Sequence, residues 1–125
     1  MSLPQDASSR IVDPLIQNYL HTLEPASPFL DTLEAYAASR NFPLIGRSSG
    51  RVIELLCRIS GVRRVFEFGS GWGYSAFFSA RAGAEVYGAE KDLWELETHE
   101  KLFADHPLKS HIHLHHGDAF EVLQK

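Results

Sequence analysis

The 125-residue sequence has one cysteine, no long apolar run and no excess of basic residues. A single thiol, Cys57, cannot form a disulfide within the chain, and its apolar helical surroundings favour a small buried side chain. No stretch approaches the roughly 20 apolar residues of a membrane span, and the N-terminus lacks a signal-peptide apolar region. The net charge of −4 argues against a nucleic-acid or membrane-surface footprint. We therefore expect a soluble cytoplasmic protein without nucleic-acid or membrane partners.

The N-terminal part, residues 1–61, is predicted to be a helical segment. Asp13 and Ser27 each precede a proline, the arrangement of a helix start, and a third helix is predicted to stop at Gly61. The first and third helices each have an apolar face, formed by Val12, Leu15, Ile16, Tyr19 and Leu23 and by Val52, Leu55, Leu56 and Ile59.

Residues 62–125 alternate short apolar strands with helices. The predicted strands lie in "RRVFEF", "AEVYGAE" and "SHIHLHHG", and capping-box spacing marks helix starts at Asp92 and Asp118. Such alternation implies right-handed crossovers and a parallel sheet. The sequence therefore predicts an α/β fold, a Rossmann-like half-sheet with strand order 3-2-1 and helices on both faces, in one compact unit with the N-terminal helices.

Three glycines follow the first predicted strand in "VFEFGSGWGYS", residues 65–75. Gly69 permits a sharp turn, and Gly71 and Gly73 keep side chains away, so that a ligand can touch the backbone. A helix that begins near Gly73 directs N–H groups and the positive end of its dipole at that ligand. The loop is predicted to be a binding loop, although an ordinary glycine-rich turn between strand and helix is the alternative.

The spacing of the loop disfavours two phosphate-binding patterns. A dinucleotide fingerprint needs a glycine where this chain has Tyr74, and a Walker loop needs a Gly-Lys-Ser/Thr run that is absent. The pattern present is acid-x-Gly-x-Gly-x-Gly, with Glu67 at the acid position.

Two acids follow the next strands. Glu90 ends the second strand 21 residues after Gly69, where a carboxylate can accept two hydrogen bonds from a ribose diol; the alternative is a solvated acid that caps the next helix. After the third strand, Asp118 and Ala119 lie at the same edge of the sheet, where Asp118 could meet an adenine amino group or simply cap the last helix.

Histidines are concentrated in "HPLKSHIHLHHGD", which holds five of the seven. His111, His113 and His115 alternate and so share one face of the predicted third strand. Two imidazoles at this spacing could share a zinc ion, but an edge strand with solvated side chains is the favoured interpretation, and no metal is expected. The glutamates of the preceding helix, Glu95, Glu97 and Glu100, are expected to form a solvated face.

Taken together, "VFEFGSGWGYSAFFSA", "VYGAEKD" and "HLHHGDAFEVL" resemble the class I S-adenosylmethionine-dependent methyltransferases. The small O-methyltransferase branch, which includes catechol and caffeoyl-CoA O-methyltransferases, is the most similar, and Gly-Tyr-Ser at 73–75 is a fairly specific mark of it. Upstream, "PLIGRSSGRVIELLCRISGVRRV" resembles the family's loop and helix before the first strand. The resemblance spans most of the chain.

The resemblance implies S-adenosyl-L-methionine as the cofactor and an in-line transfer of its methyl group to an oxygen of a small-molecule acceptor. It implies that Glu67, Gly69 and Gly71 flank the methionine part of the cofactor. Gly73 belongs to the same loop, and Ser75 at the helix start is implied to help to hold the methionine carboxylate.

The remaining cofactor-binding residues follow in the same way. Glu90 is implied to bind the ribose hydroxyls, and Asp118 and Ala119 to lie near the adenine. Trp72 is implied to cover the ligand, or equally to pack against the N-terminal helices.

One departure from the family concerns the part of the fold that binds the acceptor and a divalent cation. The family's sheet has about seven strands, and its fourth carries acids that bind a divalent cation and the acceptor, whereas this sequence stops at Lys125. No catalytic residue and no metal ligand is therefore assigned, and enzymatic activity of the chain alone is left open. The alternatives are a module that binds the cofactor or S-adenosylhomocysteine without catalysis, and a nucleotide-dependent oxidoreductase fragment, which Tyr74 disfavours.

The apolar strand 65–68 is expected to have a bare edge, covered by a second copy or a partner chain.

Overall fold

The computed structural model describes residues 13–125; residues 1–12 of the predicted helical segment, among them Val12, lie outside the described residues. Its elements, in chain order, are α1 (Pro14–Leu23), α2 (Pro28–Ser39), α3 (Gly46–Ser60), β1 (Arg64–Phe68), α4 (Tyr74–Arg81), β2 (Glu85–Glu90), α5 (Leu93–Leu102), a 3-10 turn (Pro107–His111), β3 (Ile112–His116) and α6 (Ala119–Leu123).

The predicted helix ends are found where the capping chemistry indicates them. The Asp13 side chain accepts a hydrogen bond from the Leu15 N–H, and the Ser27 hydroxyl accepts one from the Leu30 N–H. At its other end, α3 stops at Gly61, which has a φ of +63°. The two predicted helix starts and the predicted glycine stop are therefore confirmed.

The capping boxes predicted at α5 and α6 are wrong in one detail. Asp92 caps α5 and Asp118 caps α6, through the N–H groups of Trp94 and Phe120. The reciprocal glutamate contact is missing at α5, because the Asp92 N–H donates to Glu90 instead.

The three strands form a parallel sheet in the order β1-β2-β3, which confirms the predicted half-sheet. Val65 lies beside Val86, and Val86 lies beside Ile112. Since β2 is central, β1 and β3 are the edges of this sheet. Parallel pairing brings the carboxyl ends of all three strands to one side of the molecule.

The core lies between one face of the sheet and the helices α2, α4 and α5. Its fully buried side chains include Leu33, Phe78, Val86 and Phe103. Helix α3 packs closely on α4, since a Cβ at Gly50 would lie 2.3 Å from the Phe78 ring. The α3–α4 contact therefore requires a residue without a side chain at position 50.

The apolar faces of α1 and α3 do not enter this core. Helix α1 buries none of its residues, and Val52, Leu55, Leu56 and Ile59 of α3 are each more than half exposed. Both segments are helices, as their periodicity predicts, but within residues 13–125 these apolar side chains stay largely exposed. No helix in this range has the length and apolar character that a membrane crossing requires.

The solvated face predicted for α5 is wrong at one residue. Glu95 is buried, and one of its carboxylate oxygens has no hydrogen-bond partner in the described part of the chain. Burial raises the pKa of Glu95, and the charge of Asp92 raises it further. Glu97 and Glu100 are exposed as expected.

Candidate functional site

The glycine loop between β1 and α4 has a backbone that only glycine adopts easily. Gly69, Gly71 and Gly73 all have positive φ angles, of +71°, +53° and +96°. The N–H groups of Gly69 and Ser70 donate to the Ala89 carbonyl at 3.0 and 3.1 Å, so the loop is bound to the end of β2. Helix α4 begins directly after Gly73. The N-terminus of α4 therefore faces the edge where the strands end.

Glu90, the last residue of β2, connects this loop to the next one. Its Oε2 accepts a hydrogen bond of 2.9 Å from the Gly71 N–H, and its Oε1 accepts one of 2.9 Å from the Asp92 N–H. The structure thus brings together two residues that the sequence placed at one edge. Each carboxylate oxygen keeps a further lone pair, so Glu90 can still accept hydrogen bonds from a ligand hydroxyl.

Glu67 lies beneath the same loop. Burial raises the pKa of its carboxyl group, and an interaction with the Ser75 hydroxyl partly offsets that rise. Its Oε2 is buried and has no partner among the described residues. A buried carboxylate oxygen without a donor is costly, and a cationic ligand group would supply the missing donor and charge.

A cavity of about 130 Å³ opens beside the glycine loop. One wall consists of the loop and the start of α4, including Ser75, and the other is the segment 42–45 before α3. Typical cavities for whole ligands measure about 300–1,000 Å³, so this one suits a part of a ligand, such as an amino-acid group.

The segment 42–45 is the part of the site that sequence reasoning did not assign. Its proline and the following Gly46, which has a φ of +76°, indicate a loop but not its position. Its place at the site depends on a contact between distant residues: the Phe42 ring packs on Trp72, with 4.4 Å between ring centroids.

Trp72 has the packing role that the sequence left as one of two alternatives. Its side chain is 1% exposed and lies against Tyr36 of α2 and Phe42. Trp72 also lines the cavity. The indole therefore fixes the loop against the helical segment and forms part of the cavity wall.

The third loop lies next to Glu90 as well. The Gly117 N–H donates to the Glu90 carbonyl at 2.9 Å, which places Asp118 and Ala119 at the same edge. Asp118 caps α6 through the Phe120 N–H, and its other oxygen pairs with Lys91 at 2.9 Å. The ion pair with Lys91 lowers the pKa of Asp118. The capping role is thus present, and the carboxylate remains ionised at this edge of the sheet.

The histidines around β3 differ in their distance from this edge. His116 lies beside Glu90 in the sheet, and its Nε2 is 3.0 Å from the Lys91 carbonyl oxygen, whereas His111 and His113 lie towards the other end of the strand. His111, the last residue of the 3-10 turn, and His113 of β3 both bond to the carboxylate of Glu85 at the start of β2, at 2.5 and 2.8 Å, so these two lie on one side of the sheet although His111 precedes the strand. These hydrogen bonds lower the pKa of Glu85, with His113 as the larger cause. Between residues 13 and 125, no group of three or more His, Cys, Asp or Glu side chains is arranged to hold a metal ion.

No protein-family model matches the chain. Among solved structures, a methyltransferase from Geobacter sulfurreducens is 31% identical, with a TM-score of 0.82 over 91% of this chain and 60% of its own. An O-methyltransferase from Bacillus cereus in complex with S-adenosylhomocysteine is 24% identical, with a TM-score of 0.79 over 88% of this chain and 53% of its own.

The O-methyltransferase TomG from Streptomyces achromogenes, in complex with S-adenosylmethionine, is 22% identical, with a TM-score of 0.78 over 88% of this chain and 52% of its own. The resemblance to the O-methyltransferases is thus confirmed for the fold. The chain spans only 52% to 60% of the length of these three structures.

Proposed function

We propose that this chain is the S-adenosylmethionine-binding part of a methyltransferase, and that the methyl group passes to an oxygen atom of a small molecule. The observation that carries the proposal is the link between the Gly71 N–H and Glu90 Oε2. It joins a cofactor-type glycine loop to a carboxylate at the carboxyl end of the next strand, where doubly wound folds bind ligands. The shared fold with methyltransferases supports it.

The methionine part of the cofactor is assigned to the cavity beside the glycine loop. The unpaired Oε2 of Glu67 suits the ammonium group, and the α4 N-terminus with Ser75 suits the carboxylate. Gly69, Gly71 and Gly73 leave the backbone accessible. The volume of about 130 Å³ agrees with an amino-acid group and leaves the nucleoside outside the cavity.

The nucleoside part is assigned to the two following loops. Glu90 accepts hydrogen bonds from the ribose hydroxyls, while Asp118 and Ala119 border the adenine. Trp72 contributes as a wall rather than as a cover, because its indole is buried. When bound, S-adenosylmethionine supplies an electrophilic methyl group. The residues assigned to its methionine and nucleoside parts bind and orient the cofactor. We assign no catalytic residue to this chain, which we place in the cytoplasm.

Calorimetric titration with S-adenosylhomocysteine and with NAD tests the proposal. The expected result is saturable binding of S-adenosylhomocysteine and none of NAD, because Tyr74 occupies the place of a pyrophosphate-loop glycine. Absence of S-adenosylhomocysteine binding would contradict the proposal. Binding without methyl transfer to catechol-type acceptors, in a protein that includes the acceptor-binding part, would favour the non-catalytic binding module.

We also propose that a second copy or another chain covers the exposed edge of β1. Phe68 is 56% exposed and contacts Phe120, which is 69% exposed, so the edge has an apolar margin. Apolar, unpaired strand edges pair readily with other chains. Sedimentation should show a mass that rises with concentration; a monomer at every concentration with cooperative unfolding would contradict this.

A further inference from the structure

His99 of α5 makes a hydrogen bond to the glycine loop through the core of the molecule. Its ring is 2% exposed, and its Nδ1 lies 2.9 Å from the carbonyl oxygen of Trp72. The two residues are 27 positions apart in the sequence. The contact therefore joins the middle of the loop to the helix that follows Glu90.

The chemistry of this contact fixes the state of the ring. A carbonyl oxygen can only accept, so Nδ1 carries the proton and donates it to Trp72. Burial lowers the pKa of His99, so the ring is neutral near pH 7, and Nε2 is a bare acceptor. Nε2 is buried without a partner in the described structure. An apolar ring would pack here without that unsatisfied atom, so the directed bond to Trp72 is what a histidine adds at this position.

The loop needs such a bond because its glycines allow its peptide groups to reorient. Gly71 and Gly73 flank Trp72, and both have positive φ angles, so the intervening peptide groups are weakly constrained by sterics. Three contacts hold them: Gly71 N–H with Glu90, Trp72 carbonyl with His99, and Gly73 N–H with the Ser70 carbonyl. The buried His99 ring holds the Trp72 carbonyl against α5. A carbonyl oxygen turned into the cavity would repel an anionic carboxylate there.

Close packing points to the same role. A Cβ at Gly73 would lie 2.9 Å from His99 Nδ1, so the ring lies directly against the backbone of the loop. Phe103, which directly follows α5, lies 3.5 Å from the same point and offers no hydrogen-bonding atom. The two side chains therefore differ in polarity while they support the same residue.

We propose that His99 is a positioning residue that holds the glycine loop in its cofactor-binding conformation by donating from Nδ1 to the Trp72 carbonyl. The inference rests on the proposed function for its ligand, the amino-acid group of S-adenosylmethionine. The conformation of the glycine loop can be measured without any ligand, so this part of the inference does not depend on the proposed function.

Two amide variants separate the hydrogen bond from packing. In H99N the amide nitrogen stands near the position of Nδ1, and in H99Q it stands near that of Nε2. H99N is expected to bind S-adenosylhomocysteine within about threefold of the wild type, and H99Q at least about tenfold more weakly, the loss of one good hydrogen bond. F103L serves as the matched control: it is expected to lower the unfolding midpoint and leave the affinity unchanged.

Amide hydrogen exchange of residues 69–74, without ligand, is the second measurement. Exchange is expected to accelerate about tenfold in H99Q relative to H99N, since the loop opens locally. Equal affinities and equal loop exchange in H99N and H99Q would overturn the proposal. If the wild type does not bind S-adenosylhomocysteine, the proposed function fails, and loop exchange alone still decides whether His99 positions the loop.

Discussion

The hydroxyl group of Tyr74 donates a hydrogen bond of 2.7 Å to Glu34 Oε1 and so joins the first residue of α4 to α2. Arg47 binds the same carboxylate from the start of α3, with Nε at 2.8 Å from Oε1. Burial raises the pKa of Tyr74, and the hydrogen bond to Glu34 raises it further, so the phenol keeps its proton. The residue that disfavours a pyrophosphate ligand is therefore a structural link between the helical segment and the glycine loop.

Replacing Tyr74 with phenylalanine removes only this hydrogen bond. We expect Y74F to lower the free energy of unfolding by about 1.5 kcal/mol, because a hydrogen bond to a carboxylate is lost while Arg47 still neutralises Glu34. Urea unfolding measures the change. Y19F is the control, since Tyr19 is 62% exposed on α1 and should change stability by less than about 0.5 kcal/mol. Equal effects of the two variants would contradict the link.

A comparison of Gly73 with Gly83 separates two costs of an added side chain in the glycine loop, the left-handed backbone and the steric overlap. Their φ angles are nearly equal, at +96° and +97°, but a Cβ at Gly73 meets His99 whereas one at Gly83 meets nothing within 4 Å. G83A should cost about 1–2 kcal/mol for the left-handed backbone alone. G73A should cost about 1–3 kcal/mol more, since overpacking adds to the strain. Thermal unfolding of both variants tests this, and equal losses would mean that the loop yields to the added methyl group.

The parts of the fold that sequence predicted are those with local causes. Side-chain caps at Asp13 and Ser27, the stop at Gly61 and the strand–helix alternation after residue 62 all depend on neighbouring residues. The division into segments 1–61 and 62–125 stays a prediction.

The parts that sequence missed depend on contacts between distant residues. Helical periodicity showed which residues share a face of α1 and α3, but periodicity does not state whether anything packs there. Glu95 is polar and three residues after a cap, so its burial arises only from tertiary packing. The bond from His99 to Trp72 likewise joins helix α5 to the glycine loop and has no local signature.

His99 also gives the protein a pH-dependent term in its stability. Burial lowers the pKa of His99, an effect that the bond to Trp72 partly offsets; Glu100 raises the pKa and Lys109 lowers it. The unfolded chain therefore binds this proton at a higher pH than the folded chain. The stabilisation is fully present above the ordinary pKa of about 6.5 and is lost as the pH falls towards the lower folded pKa.

The measurement is the free energy of unfolding of the wild type and H99N between about pH 5 and pH 7.5, a range that spans the ordinary histidine pKa. The difference between wild type and H99N should increase with pH in this range. Subtraction of the H99N curve removes the contributions of the other histidines, including His106, whose pKa burial also lowers. A difference independent of pH would show that His99 does not titrate differently in the folded chain.

The central claim is that Glu90 and the glycine loop form one cofactor site. E90A removes the carboxylate that accepts from Gly71 and that we assign to the ribose hydroxyls. Calorimetry should give an affinity for S-adenosylhomocysteine lower by about ten- to a hundredfold, the equivalent of one or two hydrogen bonds to a charged group. E97A, at an exposed acid of α5, should bind like the wild type. If E90A binds S-adenosylhomocysteine as tightly as E97A does, the site is not where we place it.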